Sequence, residues 1–173
     1  MTDKAELHLF CLWKRGISAF DAVSRMIGER FTVPQVEDVS WSNVGGLRGM
    51  CRFYTNSAWI VFWKYLRCGG VPVRLIVVRD DAPRYAARDT NQGARSVNVN
   101  IFDTKMALRK LLRNGHLIHA TDSSLEFAFN YAVLTGAAPD VPKLLAAPPW
   151  DGTVRRLEAS CPERSSVAVP GGG

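Results

Sequence analysis

Apolar residues in this chain recur with two periods, and the switches between them outline its elements. Glu6 to Trp13 (ELHLFCLW) is almost continuously apolar, as a strand covered on both faces would be. Lys14-Arg15-Gly16 ends it. From Ser18, with Asp21 three residues on, Phe20, Val23 and Ile27 recur at helical spacing and predict a helix. Phe31 to Trp41 alternates imperfectly through Val33, Val36, Val39 and Trp41, and Pro34 confines it to a strand start or an edge. Asn43 to Gly46 is a turn. Leu47 to Tyr54 and Ala58 to Leu66 read as two short helices broken at Thr55-Asn56-Ser57. Gly69-Gly70 then turns the chain into Val71 to Arg79, the clearest strand by its β-branched content.

Asp80 to Arg95 is polar and irregular. Ser96 to Phe102 (SVNVNIF) alternates like a strand. Asp103 is placed to cap a helix running through Leu112, with Met106 and Leu111 facing inward. Asn114-Gly115 turns into a short apolar run ending at His119. Ser123 with Glu126 three residues later is a capping-box signature, and Leu125, Phe127, Ala128, Phe129, Ala132 and Leu134 give the helix that follows an apolar side. This order predicts an α+β fold of two split βαβ units. That is the ferredoxin-like arrangement, a four-stranded antiparallel sheet covered by helices on one face. Residues 1–136 form that domain. Residues 137–173, rich in Ala, Pro, Gly and Ser, read as a partly disordered extension.

With 173 residues and 47% hydrophobic content the chain can bury one real core. The longest apolar stretch, Ser57 to Leu66, is broken by Lys64 and falls short of a membrane span, and the first residues lack the pattern of a signal peptide. Cys11, Cys51, Cys68 and Cys161 are far apart and form no CxxC pair, which favours reduced thiols in a cytoplasmic protein. The net charge of +6 lies in the first 136 residues, because the tail carries equal numbers of basic and acidic groups. That balance suits an anionic ligand such as a nucleotide phosphate and equally describes a solvated basic face.

Motifs narrow the chemistry. There is no GxxxxGK[ST], GxGxxG, HExxH or GxSxG, so P-loop, Rossmann, zincin and hydrolase-elbow routes lack support. His8 sits early in the first strand and reads as structural. What remains is Lys14 at the end of the first strand, Arg84 and Thr90 in the polar segment, and His119 at the end of the last strand. Cations that neutralise phosphate oxygens and a nucleophile that receives the group are the parts phosphoryl transfer requires, and these four are expected to line one cleft.

Four local strings, in order, resemble nucleoside diphosphate kinase. G-H-L-I-H-A-T-D-S at Gly115 to Ser123 is similar to the family's N-I-I-H-G-S-D-S around its active histidine. L-W-K-R-G at Leu12 to Gly16 is similar to I-K-P-D-G. F-W-K-Y-L-R-C-G-G-V-P-V at Phe62 to Val73 is similar to L-V-K-Y-M-x-S-G-P-V-V. Arg84 lies six residues before Thr90 in T-N-Q, where the family has T-N-P. The resemblance covers Leu7 to Gly136.

The resemblance implies a phosphotransferase that moves the γ-phosphate of a nucleoside triphosphate through a phosphohistidine to a nucleotide or related acceptor. His119 would be the nucleophile. Lys14, Tyr54, Arg84, Thr90 and His116 would hold phosphates, with Arg95 or Asn100 standing for an arginine of the family's I-R-G-D. Trp59 or Ile60 would face the base, and Thr121, Asp122 and Asn130 would support the histidine. Mg²⁺ would arrive with the nucleotide. Two positions depart from the family: His116 replaces an asparagine, and Asn130 replaces the glutamate that supports the histidine. These departures favour the alternative, a catalytically weak nucleotide-binding domain with a regulatory or interaction role. A nucleotide is the expected partner and self-association into a dimer or higher oligomer is compatible with it. A membrane partner is not expected, and nucleic acid is disfavoured because the G-F/Y-G/A-F core of RNA-binding sheets is absent.

Overall fold

The computed structural model describes residues 5–41, 58–90 and 93–159. The expected helix Leu47 to Tyr54 lies outside them, as do Cys51, Tyr54 and Cys161. Among the described residues no helix is long and apolar enough to cross a membrane.

The main sheet is built from β1 (Glu6–Trp13), β2 (Thr32–Ser40), β3 (Val73–Asp80), β6 (Ile118–Ala120) and β7 (Arg155–Glu158), in the spatial order β6-β1-β3-β2-β7. β1 is antiparallel to both β3 and β6, β3 is antiparallel to β2, and β7 is parallel to β2. The fold is thus α+β with a five-stranded mixed sheet rather than a four-stranded antiparallel one. Pro34, which cannot donate to a ladder, coincides with the register irregularity between Thr32 and Gln35.

Helices cover both faces of the sheet, where one face was expected. Leu9, Cys11, Trp13, Leu75 and Val77 pack against α4 (Ser124–Thr135) and α5 (Val141–Ala146), with Val61 and Cys68 from α2 (Ala58–Cys68). Phe10, Leu12, Ile76 and Val78 pack against α1 (Phe20–Gly28) and α3 (Val99–Leu111) on the other side. Alternate residues of β1 thus enter opposite cores, which is why its sequence shows no alternation.

Three further expectations change. Asp80 to Arg95 is not irregular: β4 (Tyr85–Thr90) and β5 (Gly93–Asn98) pair as a separate hairpin. The strand expected through Phe102 ends at Asn98, whose side chain accepts bonds from the amides of Asn100 and Ile101 and caps α3 five residues before Asp103. Met106 and Leu111, expected to face inward, are exposed, while Ile101, Thr104, Lys105 and Leu108 turn inward. Third, residues 137–159 belong to the fold. Leu144 is buried in the core, Trp150 packs edge-on against Phe20 at 5.7 Å, and the Arg79 guanidinium donates to the carbonyls of Leu145 and Ala147.

Candidate functional site

His119 lies opposite Cys11 in the β6–β1 pair, on the edge strand of the sheet. Gly136 in the left-handed conformation closes α4 and Ser123 accepts the Glu126 amide at its start, which fixes that helix beside the strand. Its first turn brings Glu126 to the imidazole, with Nε2 of His119 3.5 Å from Oε1 of Glu126. This is an ion-pair distance, longer than an ordinary N–H···O bond. The other carboxylate oxygen accepts the Asp122 amide at 2.6 Å, and Asn130 donates to Oε1 at 3.2 Å. Sequence reasoning assigned Glu126 only to capping and Asn130 to the supporting position. In the fold the carboxylate stands one turn earlier, and Asn130 braces it.

Burial pushes the His119 pKa down, against the pull of Glu126, and the charges of Lys105 and Lys64 push it further the same way. For Glu126, burial acts upward but is outweighed by bonds from His119, the Asp122 amide and Asn130, so its net shift is downward. The outcome at neutral pH is a neutral imidazole beside an ionised carboxylate. Lys105, on α3, is ion-paired with Asp122 and lies over the Phe102 ring.

The expected phosphate-holding residues divide between two ends of the sheet. Glu6 of β1 pairs with Asp80 of β3, and Trp13 pairs with Val73. At a strand rise of about 3.3 Å per residue those ends are about 23 Å apart. Lys14 is exposed just past the Trp13 end, and Leu117 joins that end by accepting the Trp13 amide. Arg84 belongs to the Asp80 end. Its guanidinium donates to Asn100 Oδ1 at 3.0 Å, and Asn100 donates in turn to Asp80 and to the Ala82 carbonyl. Arg84 and Asn100 line a cleft of about 550 Å³ with Arg30, Asp81 and Asp103. Thr90 donates to the Gly93 carbonyl and Arg95 faces Arg88, both on the hairpin. Lys14 and Arg84 therefore stand past opposite ends of the β1–β3 pair and do not share one cleft, while the base of the hairpin meets the turn after His119, where the Asn98 amide donates to the Asp122 carbonyl at 3.3 Å.

Of the remaining candidates, Thr121 is buried and accepts the Leu9 amide. His116 is exposed, with its amide on Asn114 Oδ1. Trp59 is 66% exposed and stacks against Phe62 on the outer face of α2; the side chain of Ile60 lies outside the described residues. His8 proves to be fully buried in a polar network. Nδ1 is 3.3 Å from Thr121 Oγ1, and Nε2 is 3.3 Å from the Asn98 amide and 3.4 Å from Glu6. Burial lowers its pKa, partly offset by Glu6, Asp80 and Glu126.

Cys11 and Cys68 are buried free thiols, and burial raises both pKa values, that of Cys68 to about 11. Among the described residues no cluster of His, Cys, Asp and Glu is arranged to hold a metal ion. No family model, no curated protein and no solved structure matches the chain.

Proposed function

We propose that the chain is a phosphotransferase similar to nucleoside diphosphate kinase, in which His119 carries a phosphoryl group from a nucleoside triphosphate to a nucleotide or related acceptor. The His119–Glu126 pair carries this reading. A carboxylate at Nε2 keeps the ring proton there and leaves the lone pair on Nδ1. Nδ1 attacks the γ-phosphorus; the N–P bond forms as the bond to the diphosphate oxygen breaks. Glu126 stabilises the cationic phosphoimidazole through its Nε2–H. The acceptor oxygen then takes the phosphoryl group and returns the neutral ring. Mg²⁺ would enter on the nucleotide phosphates and screen their charge. The order β6-β1-β3-β2, antiparallel throughout, supports reading this part of the sheet as a ferredoxin-like split βαβ unit extended by β7. Two buried free thiols support a cytoplasmic setting.

The second reading is a nucleotide-binding domain without efficient transfer. The placement of Arg84 and Lys14 past opposite ends of the sheet favours it. Incubation with γ-labelled ATP and Mg²⁺ tests both. Wild-type protein should acquire acid-labile, base-stable label. His119→Ala should lose the label and keep ATP binding, since the lost group acts on transfer and not on holding phosphates. ATP binding without label under any acceptor establishes the second reading; no nucleotide binding overturns both.

A further inference from the structure

We infer that Lys64, Arg67 and Arg109, grouped around His116, form an anion seat for a polyphosphate chain at the Trp13 end of the sheet. The inference deepens the proposed function by replacing Arg84 and Thr90 as phosphate holders, and rests on that reading for the seat's role toward His119.

Charge is segregated along the sequence. Leu7 to Phe20, Ala58 to Arg79 and Thr104 to Thr121 contain no Asp or Glu. The fold brings these three stretches together. The Trp13 amide donates to the Leu117 carbonyl at 2.9 Å. Cys68 Sγ donates to the His116 carbonyl at 3.0 Å, which ties the end of α2 to the turn before β6. Arg15 donates to the Arg67 carbonyl at 3.3 Å. Arg109 lies along Gly115, with Cδ 3.5 Å from where a Cβ would stand.

Three other basic residues of these stretches have acidic partners: Arg74 has Asp38, Arg79 has Asp81 and Lys105 has Asp122. Arg67 and Arg109 have no carboxylate within ion-pair distance among the described residues. Arg109 Nε is buried with no hydrogen-bond partner there, and NH1 reaches only the Met106 sulfur, at 4.0 Å. A buried guanidinium donor without an acceptor is a costly arrangement that an anion would satisfy.

The electrostatics agree with this grouping. The His116 pKa is lowered by burial and then by the charges of Lys64, Arg67 and Arg109. Burial also lowers Lys64, with Arg109 acting the same way, although Cys68 pulls in the opposite direction. A merely solvated basic face would spread its charges; here three cations from two helices converge on one imidazole. The charge of Lys64 acts in the same downward direction on both His116 and His119. Three cations grouped at one turn match the several charges of a chain of linked phosphates better than the charge of a single phosphate ion.

Calorimetric titration of the full chain with inorganic tripolyphosphate and, separately, with Mg-ATP tests the seat. Lys64→Met, Arg67→Gln and Arg109→Gln should each weaken tripolyphosphate binding by about tenfold or more, the value of one charge-assisted contact. Arg25→Gln, which removes the same charge from exposed α1, should change it less than about twofold, as expected of a screened distant charge. Tripolyphosphate should also raise the His116 pKa in an NMR titration. Arg109→Lys, which keeps the charge without the fork, covers the case in which Arg109→Gln does not fold. Equal losses in Arg25→Gln, or unchanged binding in Lys64→Met and Arg67→Gln, overturn the seat. Label on His119 with unchanged binding in those variants would reject the seat and keep the phosphotransferase. Charge-dependent tripolyphosphate binding without label would keep the seat and reject the phosphotransferase. Mg-ATP binding tighter than tripolyphosphate identifies a nucleotide as the source of the phosphate chain; equal affinity identifies free polyphosphate.

Discussion

Replacing Glu126 by Gln removes one charge from the proposed site at nearly constant shape. In the wild type the carboxylate accepts from the Asp122 amide at 2.6 Å and from Asn130 at 3.2 Å, and it faces His119 at 3.5 Å. A glutamine oxygen can keep the Asp122 amide, and Asn130 can turn its own oxygen toward the new NH₂. The bonds survive but lose their charge assistance, which corresponds to about 1–2 kcal/mol of stability. The effect on the imidazole is directional. Glu126 is the group that raises the His119 pKa against burial and two lysines, so its loss should lower that pKa further. The native state then takes up the His119 proton only at a lower pH than before, while the unfolded chain still takes it up near the ordinary value of 6.5. Below that value the variant should lose more stability than the wild type, and the difference should grow as the pH falls from about 6.5. Phosphorylation of His119 should slow by about 10–100-fold, the usual range for an outer partner of a functional histidine. Urea unfolding at pH 7.5 and pH 5.5, an NMR titration of the ring and the labelling rate are the measurements. A folded variant with an unchanged or raised His119 pKa and an unchanged rate would refute the pairing.

Two further outcomes are expected. Leu144→Ala should cost about 2–4 kcal/mol in chemical denaturation because α5 seals the core, whereas an exposed extension would register under about 0.5 kcal/mol. His8, fully buried with a lowered pKa, should make the protein acid-sensitive: stability is complete above about pH 6.5 and falls as the unfolded chain protonates first, so His8→Gln should flatten the drop in urea midpoint between pH 7 and pH 5, and an unflattened drop would assign the sensitivity elsewhere.

Elements with a strong local signal were legible in the sequence. β1, β3, α1 and α4 fall where apolar runs or helical spacing placed them, since burial on one or two faces dictates those patterns directly. The elements missed are held by distant partners. β4 is polar and largely exposed, so it carries no apolar signature, and it forms by pairing with β5, of which only Ser96 to Asn98 falls within the expected strand. β7 is four residues long and depends on β2 for its register, and its sequence, RRLE, resembles any solvated segment. The start of α3 turned on a choice between two caps. Asn98 and Asp103 are both acceptable chemically, and Asn98 wins because its side chain also donates to Asp80 across the polar network.

The same limit explains the site. His119 stands out from sequence because the polar turn after it separates a strand from a helix, and the fold keeps that arrangement. The partner of His119 depended on the phase of α4 relative to β6, which a string comparison does not contain. Positions 126 and 130 are four apart and share one face of the helix, so either can present a carboxylate toward the imidazole with a small change in tilt. Here position 126 carries the charge. Its second oxygen is anchored by the Asp122 amide, and position 130 braces the first oxygen as a neutral donor. Asn130→Glu would therefore set two carboxylates on one face around one imidazole, and their repulsion would raise one carboxyl pKa instead of strengthening the pair. The departure from the family pattern at Asn130 is thus compatible with an intact histidine–carboxylate couple, and it makes Glu126 the residue on which the proposed chemistry turns.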